Sequence, residues 1–317
     1  MDFSIIVPAF NAEEYIEACL NSIFRNAHRD IQLEVLVIDD CSTDSTFELL
    51  TNFQKSNGNL IVLRTQENSG PGGARNVGVQ SASGDWILFL DSDDCYDVNA
   101  LVKLKRFIDA NVETELDAIG YNWMYNRNSI HRPKTHFIGR MDGHYLELEK
   151  DQLITHYLQL QMDNSVIYTA IRRDLIVGNS ISFREGYHED VDYIFLVYWY
   201  ARKIKYFDQV LYYKTSRAES IVNTISVPHI KGFMRSYKEI GAFISTEGKN
   251  ETFDYINNYY VGLIAVIATR AREIYRHSSD AEERAILYEE LHESWLEFDY
   301  KPKDNLFPYD RTLYSHI

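Results

Sequence analysis

Four short apolar runs, each followed by a segment in which apolar residues recur with helical spacing, restrict the fold of this chain more than any other feature. The runs are Phe3–Val7, Leu33–Ile38, Asn59–Arg64 and Trp86–Leu90. Short apolar runs bounded by turn-forming residues are typical of strands that are buried on both faces of a parallel sheet. Strands that alternate with helices form βαβ units. The pattern predicts an α/β fold with a mostly parallel, doubly wound sheet.

The segments between these runs are predicted to be helices. Ser45 and Glu48 have the spacing of a capping box, which places the start of one helix near Ser45. The stretch Asn68–Gly73 is interpreted as a turn, and a helix is expected from about Ala74 to Ser81. Two further strands are expected, at Asp117–Tyr121 and Tyr206–Lys214.

The pattern changes at Pro228. From there on, the apolar residues keep helical spacing, which predicts a helical C-terminal region over 228–317. Tyr255, Tyr259 and Tyr260 are interpreted as an aromatic face on one of these helices. Such a face favours association into a homo-oligomer through the C-terminal helices.

Carboxylates gather where two of the apolar runs end. Asp91, Asp93 and Asp94 follow the last run, and Asp39 and Asp40 follow the second. Parallel strands share one direction, so both clusters lie at the carboxyl edge of the sheet, where open α/β sheets bind ligands. Crowded carboxylates repel one another unless a cation lies among them, and hard oxygen ligands favour Mn²⁺ or Mg²⁺. These acids therefore predict a nucleotide site with a divalent metal, and the alternative is a solvated acidic turn.

The chain lacks the common motifs that bind phosphate through the backbone. The turn after the first run, Pro8–Asn11, contains neither Gly-x-Gly-x-x-Gly nor Gly-x-x-x-x-Gly-Lys-Ser/Thr. The backbone of this turn is expected to contact a nucleotide base instead. The phosphates must then be met by metal and cationic side chains, and Arg75, just after Gly70–Gly73, is one candidate.

Charge and cysteine content exclude some classes of partner. A net charge of −15 argues against non-specific nucleic-acid binding and against attraction to an anionic membrane. Three cysteines are too few for a disulfide framework and suit a reducing compartment. No apolar run reaches the ~18 residues of a membrane span, and the N-terminus lacks the basic region and cleavage site of a leader. A cytoplasmic protein is expected, with peripheral contact to the inner face of a membrane left open.

Six motifs occur in order along the chain: Val7–Asn11 with Glu14–Ile16, Val37–Asp44, Asn68–Pro71 with Ala74–Gly78, Gly84–Asp94, Phe183–Gly186 with Glu189–Asp190, and Tyr213–Lys214 with Ser220–Ile221. Together they resemble the family 2 glycosyltransferases, which have the A-type glycosyltransferase fold, and especially the bacterial members that build capsules, lipopolysaccharides and other surface glycans. Cys41 departs from the family pattern, which usually has glycine or a small residue there, and Cys95 stands where an aromatic or aliphatic residue is more usual.

The resemblance implies a glycosyltransferase that uses a nucleotide-sugar, with UDP as the default nucleotide, and a glycan or lipid-linked acceptor. It implies a glycosyltransferase domain over 1–227, with a donor-binding half at 1–115 and an acceptor and catalytic half at 116–227. The region 228–317 lies outside the resemblance. The implied donor-binding residues are Pro8, Phe10, Asn11, Asp39, Asp40, Gly70, Arg75, Asp91, Ser92, Lys214 and Arg217. The implied metal ligands are Asp93 and Asp91.

The implied chemistry needs one base. Asp190 would take the proton of the acceptor hydroxyl, with Glu189 as its rival for this role. One base and no protein nucleophile imply a single displacement with inversion at the anomeric carbon. The alternative for both acids is the capping of a helix. Two other functions remain open on the sequence: a catalytically silent nucleotide-sugar-binding or assembly module of the same fold, and a nucleotidyltransferase, which would normally carry a glycine-rich basic turn near the first strand.

Overall fold

An eight-stranded sheet is the centre of the computed structural model, which describes residues 1–26, 28–125, 150–215, 225–247, 255–278 and 280–298. The strands are β1 Phe3–Ala9, β2 Leu33–Asp39, β3 Leu60–Arg64, β4 Trp86–Phe89, β5 Cys95–Tyr96, β6 Ala118–Tyr125, β7 Thr169–Arg172 and β8 Ile204–Lys214. Their order in the sheet is β3-β2-β1-β4-β7-β6-β8-β5.

The first half of the sheet is parallel, as the sequence predicts. β1 pairs in parallel with both β2 and β4, and β2 pairs in parallel with β3. Ile5 lies opposite Val35 on one side and Leu88 on the other, and all three are almost completely buried. Helices therefore cover both faces of these strands, which explains their uninterrupted apolar sequences. The predicted α/β class is confirmed.

The second half mixes strand directions. β7 is antiparallel to β4 and to β6, β6 and β8 are parallel, and the short β5 is antiparallel to β8. Strand β7 lies within Asn164–Arg173, a stretch whose residues favour strand and helix about equally, and no pattern in the sequence predicts β5. A strand of two residues, Cys95–Tyr96, is too short to show an alternation of apolar and polar residues.

Ten helices are formed by the described residues: α1 Ile16–Phe24, α2 Thr46–Ser56, α3 Gly70–Ser81, α4 Ala100–Ala110, α5 Lys150–Leu158, α6 Arg173–Gly178, α7 Glu189–Tyr200, α8 Val227–Glu247, α9 Tyr255–His277 and α10 Ala281–Leu296. Two short 3-10 turns lie at Val112–Thr114 and Val166–Tyr168. No helix in these described ranges is both long enough and apolar enough to cross a bilayer.

Helix α3 begins earlier than predicted. It starts at Gly70 and not at Ala74, so the glycine-rich stretch forms its first turn. Gly70 has a positive φ of 73°, and its N–H donates to the side chain of Asn68 at 3.1 Å. Pro71 fits the first turn of a helix, where its missing N–H would have no partner. The glycines therefore open the helix and do not precede it.

The predicted capping box of α2 is not formed. The side chain of Ser45 makes no capping hydrogen bond. The carboxylate of Asp44 accepts from the N–H of Thr46 at 3.0 Å instead. The N–H of Ser45 donates to the side chain of Glu13, at 2.9 Å. The helix is thus capped by the preceding acid and tied to the segment before α1.

The C-terminal helices pack onto the rest of the chain. α8 contacts α7 and α10, and α9 contacts α5. Tyr255 and Tyr259 are buried, and the hydroxyl of Tyr259 donates to the carbonyl of Tyr237 at 2.7 Å. Two of the three rings of the predicted aromatic face are therefore buried, whereas Tyr260 is half-buried, and association into a homo-oligomer stays a prediction. The two buried rings stabilise the packing of the chain's own helices.

Candidate active site

Arg75 joins two acidic segments at the carboxyl edge of the sheet. Its Nη2 lies 2.8 Å from Oδ1 of Asp91, just beyond β4. Its Nη1 lies 2.6 Å from Oε1 of Glu189, the first residue of α7 and 114 positions further along the chain. The guanidinium side chain is only 6% exposed. A buried arginine with two carboxylate partners forms strong, charge-assisted hydrogen bonds, which hold these segments together.

The positive charge of Arg75 is compensated by the carboxylates around it. Burial alone would lower the pKa of Arg75, but Asp91, Glu189 and Asp190 outweigh burial and raise it. The guanidinium is therefore permanently charged. It neutralises part of the negative charge that the surrounding acids concentrate at this edge.

Two neighbours of Arg75 on α3 allow the close approach to α7. A Cβ atom on Gly72 would lie 2.7 Å from Cγ of Glu189 and 2.8 Å from the carbonyl oxygen of Arg184, so only glycine fits there. The side-chain amide of Asn76 donates to the carbonyl and accepts from the N–H of Phe183, both at 2.8 Å. No role was predicted for Asn76 from the sequence, although this residue lies beside Arg75 in one of the six motifs.

Asp190 is the second residue of α7 and lies next to this arrangement. Burial and the charge of Glu189 raise the pKa of Asp190 to about 7, against the opposing effect of Arg75 and a hydrogen bond from Ser165. A carboxylate with a pKa near neutrality is well suited to accept a proton at physiological pH. Glu189, by contrast, is buried and bonded to Arg75.

Asp91, Asp93 and Asp94 form a compact acidic cluster. One carboxylate oxygen from each lies within 4.8 Å of the others. Asp94 is 1% exposed, and it accepts from the hydroxyl of Tyr212 and from the N–H of Thr215, both at 2.6 Å. Burial, together with the charges of Asp91 and Asp93, raises the pKa of Asp94 to about 8. Carboxylates that destabilise one another in this way fit a divalent cation, and an all-oxygen donor set favours Mg²⁺ or Mn²⁺.

The two acids at the end of β2 differ in their surroundings. Asp40 accepts from the hydroxyls of Thr65 and Ser69, both at 2.9 Å, and from the N–H of Ser69. It therefore anchors the entry to α3. Asp39 is completely buried, with Arg64 Nε 3.1 Å from its Oδ2, yet neither of its oxygens has a hydrogen-bond partner in the described structure. Of the two, Asp39 is the one with acceptor atoms to offer to a ligand.

The turn after β1 lies beside these acids. Pro8 is buried in β1 opposite Ile38, whereas the ring of Phe10 is 47% exposed. Asn11 has a positive φ of 46°, and its side-chain oxygen accepts from the N–H of Thr43 at 2.9 Å. Cys41 also has a positive φ, of 63°. The turn after β2 thus keeps, at Cys41, the backbone conformation that glycine adopts most easily.

The remaining predicted residues surround the acidic cluster or lie outside the described residues. Lys214, at the end of β8, is half-buried, and although burial lowers its pKa, Asp91 and Asp94 raise it overall. Ser92 lies half-buried between Asp91 and Asp93. Arg217 falls outside the described residues, so its predicted contact with a diphosphate stays a prediction.

Comparison with known protein families gives one match over most of the α/β sheet. The profile described as "Glycosyl transferase family 2" matches residues 4–176. The poly(ribitol-phosphate) β-N-acetylglucosaminyltransferase TarS of Staphylococcus aureus is 42% identical over 110 residues, which are 34% of this chain and 19% of TarS. The putative glycosyltransferase EpsH of Bacillus subtilis is 28% identical over 261 residues, 79% of this chain and 71% of EpsH. The matched stretch thus spans about a fifth of the length of TarS.

Solved structures extend the similarity over nearly the whole chain. The crystal structure of S. aureus TarS 1–349 in complex with UDP-GlcNAc is 25% identical, with a TM-score of 0.70, and the match covers 93% of this chain and 88% of that one. The mannosyltransferase PcManGT of Pyrobaculum calidifontis, in complex with GDP-Man and Mn²⁺, is 14% identical with a TM-score of 0.57, over 95% of this chain and 81% of that one. The second similarity shows a shared fold alone.

Proposed function

The chain belongs to glycosyl transferase family 2, and from this premise we propose that it is a metal-dependent, inverting glycosyltransferase that moves a sugar from a UDP-sugar to an acceptor hydroxyl. The observation that carries the proposal is the buried bridge from Arg75 to Asp91 and Glu189. Through it, the acid motif after β4 and the start of α7, with the proposed base Asp190, lie on either side of one guanidinium group.

The proposed donor is a UDP-sugar, with UDP-N-acetylglucosamine as the first to test. TarS crystal structures with UDP and with UDP-GlcNAc match 93% of this chain at 25% identity. In this chain, Asp39 would accept a hydrogen bond from the base or the ribose, since its buried oxygens have no hydrogen-bond partner in the described structure. The half-exposed ring of Phe10 would pack against the base.

The proposed metal ligands are Asp93 and Asp91. A bound Mn²⁺ or Mg²⁺ would stabilise the negative charge of the departing diphosphate. Asp94 would help to fix the position of the cluster, because its carboxylate accepts hydrogen bonds from Tyr212 and Thr215. Lys214 would add a second positive charge near the diphosphate, as would Arg217.

The proposed base is Asp190. It would take the proton of the acceptor hydroxyl while the hydroxyl oxygen bonds to the anomeric carbon of the donor sugar. The bond from that carbon to the diphosphate oxygen would break, and its electron pair would leave with the diphosphate. Glu189 is bonded to Arg75, which leaves Asp190 as the acid of this pair that would accept the proton. With one displacement and no enzyme-bound sugar, the anomeric configuration would invert.

The proposed acceptor is a glycan or a lipid-linked glycan of a bacterial cell surface. Relatives with described roles include the TarS enzyme named above and a putative teichuronic acid biosynthesis glycosyltransferase of B. subtilis, 37% identical over 105 residues. A lipid-linked acceptor would bring this enzyme to the inner face of the membrane as a peripheral protein.

A thermal-shift panel tests the donor site. UDP, GDP and UDP-sugars are each added with and without Mn²⁺, because a ligand that binds only the folded state must raise the melting temperature. The expected result is a Mn²⁺-dependent shift with uridine nucleotides that is lost in Asp93→Asn. The matched control is Asp174→Asn, which changes an exposed acid on α6 and should keep the shift. A panel with no shift from any nucleotide would contradict the proposed donor site.

A further inference from the structure

A single arginine holds the turn that precedes α7. Arg184 has a side chain that is only 11% exposed, and its Nε donates to Oδ1 of Asp192 at 2.9 Å. Its Nη2 donates to the backbone carbonyls of Tyr187 at 3.0 Å and His188 at 2.8 Å. Its Nη1 reaches the carbonyl of Glu185 at 3.3 Å. One guanidinium group therefore ties the first turn of α7 to the three carbonyls of the preceding turn.

The backbone of this turn needs such support. Gly186 has a φ of 99°, and His188, the residue directly before α7, has a φ of 58°. The left-handed region is unfavourable for a residue with a side chain, and it persists only where the surrounding contacts enforce it. The His188 side chain does not cap the helix. Its carbonyl instead accepts from Arg184 and from the hydroxyl of Ser236, the latter at 2.9 Å.

Helix α8 packs against the same turn. Gly232 and Ser236 are four residues apart and so lie on one face of α8. The carbonyl of Gly232 accepts from Arg184 Nη2 at 2.9 Å, and the Ser236 hydroxyl contacts the same nitrogen. A Cβ atom on Gly232 would lie 2.5 Å from the carbonyl oxygen of Tyr187, so the backbone of α8 directly meets the turn.

We infer that Arg184 is a positioning residue for the base, and that α8 takes part in this positioning through Gly232 and Ser236. The inference rests on the proposed function, in which Asp190 takes the acceptor proton. Asp190 lies two residues after His188, so a displacement of the turn moves the base directly. The strand ends that would bind the donor, at β1, β2 and β4, make no hydrogen bond or ion pair with Arg184 in the described structure. Its loss should therefore affect turnover more than donor binding.

Arg184→Lys is the first test. Lysine keeps the positive charge, but its ammonium group cannot reproduce the planar fork that reaches Asp192 and the backbone carbonyls together. We expect kcat to fall about 10- to 100-fold, the cost of a slightly misplaced reacting group. The donor KM and the UDP-induced thermal shift should differ by less than about twofold from those of the unmodified protein. The matched control is Arg172→Lys, since Arg172 pairs with Asp174 at 3.0 Å on the surface, away from the turn, and should keep full kcat.

Ser236→Ala is a milder second variant that keeps the test decisive if Arg184→Lys does not fold. It removes the hydroxyl contacts to Arg184, Asp192 and the carbonyls of His188 and Gly232, and it leaves the Arg184 guanidinium in place. We expect kcat to fall about 3- to 10-fold, a smaller loss than in Arg184→Lys because the guanidinium keeps its other contacts. Ser245→Ala is the control on the same helix, because the Ser245 hydroxyl is exposed and donates only to Gly241 within α8.

Two results would overturn the inference. One is unchanged kcat in both Arg184→Lys and Ser236→Ala. The other is a parallel loss of kcat and donor binding with a lower melting temperature, which would show a general structural role. Asp190→Asn separates the two claims: if it is inactive while Arg184→Lys remains fully active, only the positioning role fails. If Asp190→Asn itself remains active, the proposed function fails.

Discussion

Arg75 Nη1 lies 2.6 Å from Glu189 Oε1, in a buried contact between α3 and the first residue of α7. The same guanidinium reaches Asp91 at 2.8 Å. Three separate segments of the chain therefore meet at one side chain. Because the donor and the base are proposed to lie on different sides of Arg75, this residue links the two halves of the proposed reaction.

Replacing this arginine should cost both stability and activity. Arg75→Met leaves Asp91 and Glu189 without their buried partner, and we expect a loss of about 3–5 kcal/mol in the free energy of unfolding. Urea denaturation measures this. Arg202→Met is the control, because Arg202 pairs with Asp117 at 3.4 Å with its side chain 77% exposed. Such an exposed pair is screened by solvent and should contribute little to the free energy of unfolding. Equal losses in the two variants would contradict the bridging role of Arg75.

The pH dependence of the reaction should report Asp190. Because its pKa is raised to about 7, the protonated and inactive form should dominate in more acidic solution. We expect kcat/KM to fall about tenfold per pH unit on the acid side of this pKa. Glu189→Gln removes the charge that raises the pKa and frees Arg75 to act on Asp190, so the acid limb should move to lower pH. A limb that stays in place, or moves to higher pH, would rule out Asp190 as the group observed.

Gly72 should be intolerant of even a methyl group. Gly72→Ala would place Cβ 2.7 Å from Glu189 Cγ and 2.8 Å from a backbone carbonyl, which α3 can relieve only by moving away from α7. We expect a destabilisation of about 1–3 kcal/mol together with lower turnover. Gly58→Ala is the control, since nothing lies within 4 Å of the added Cβ. Calorimetry of both variants checks the prediction, and a harmless Gly72→Ala would refute the close approach of α3 to α7.

Glu34 should stabilise the opposite end of the sheet in a pH-dependent manner. Its Oε1 accepts from the hydroxyl of Ser4 at 2.5 Å and from the N–H and hydroxyl of Ser83 at 2.6 and 2.9 Å. Burial alone would raise the pKa of Glu34, but these hydrogen bonds outweigh it and lower the pKa overall. A lowered pKa means that the contribution is present above the unfolded-state pKa and is lost as the pH falls through the folded-state value.

Glu34→Gln tests that contribution. We expect the variant to lose about 1–3 kcal/mol of unfolding free energy at pH 7, with a smaller difference from the unmodified protein once the pH falls below the folded-state pKa of Glu34. Glu113→Gln changes an exposed acid and serves as the control. A difference that grew toward acidic pH would have the wrong sign for this account.

The sequence predicted the elements with a clear period and missed those set by contacts. The parallel strands were found because they are buried on both faces, and the A-type glycosyltransferase fold and the enzyme class are confirmed by the family match and the TarS structures. The start of α3 was misplaced because glycines that usually form a turn here open a helix. Tyr255 and Tyr259 were misjudged because spacing along a helix does not show which neighbour covers a face.

Only part of the candidate site could be predicted from the sequence, for a related reason. Clusters such as Asp91 to Asp94 are visible because their members are adjacent in the chain. The pairing of Arg75 with Glu189, and of Asn76 with the backbone of Phe183, joins residues more than a hundred positions apart. No local pattern encodes such contacts. The role of α8 beside the turn before α7 was likewise invisible, since it depends on backbone carbonyls that have no sequence signature.

The most direct test of the central claim is the turnover of Asp190→Asn, measured as UDP release from the preferred donor with a saturating acceptor. Asparagine keeps the size of the side chain but cannot take the proton. The account predicts that kcat falls about 10²- to 10⁴-fold, while the Mn²⁺-dependent thermal shift with UDP is unchanged. Turnover close to that of the unmodified enzyme, with donor binding intact, would contradict Asp190 as the base and with it the proposed mechanism.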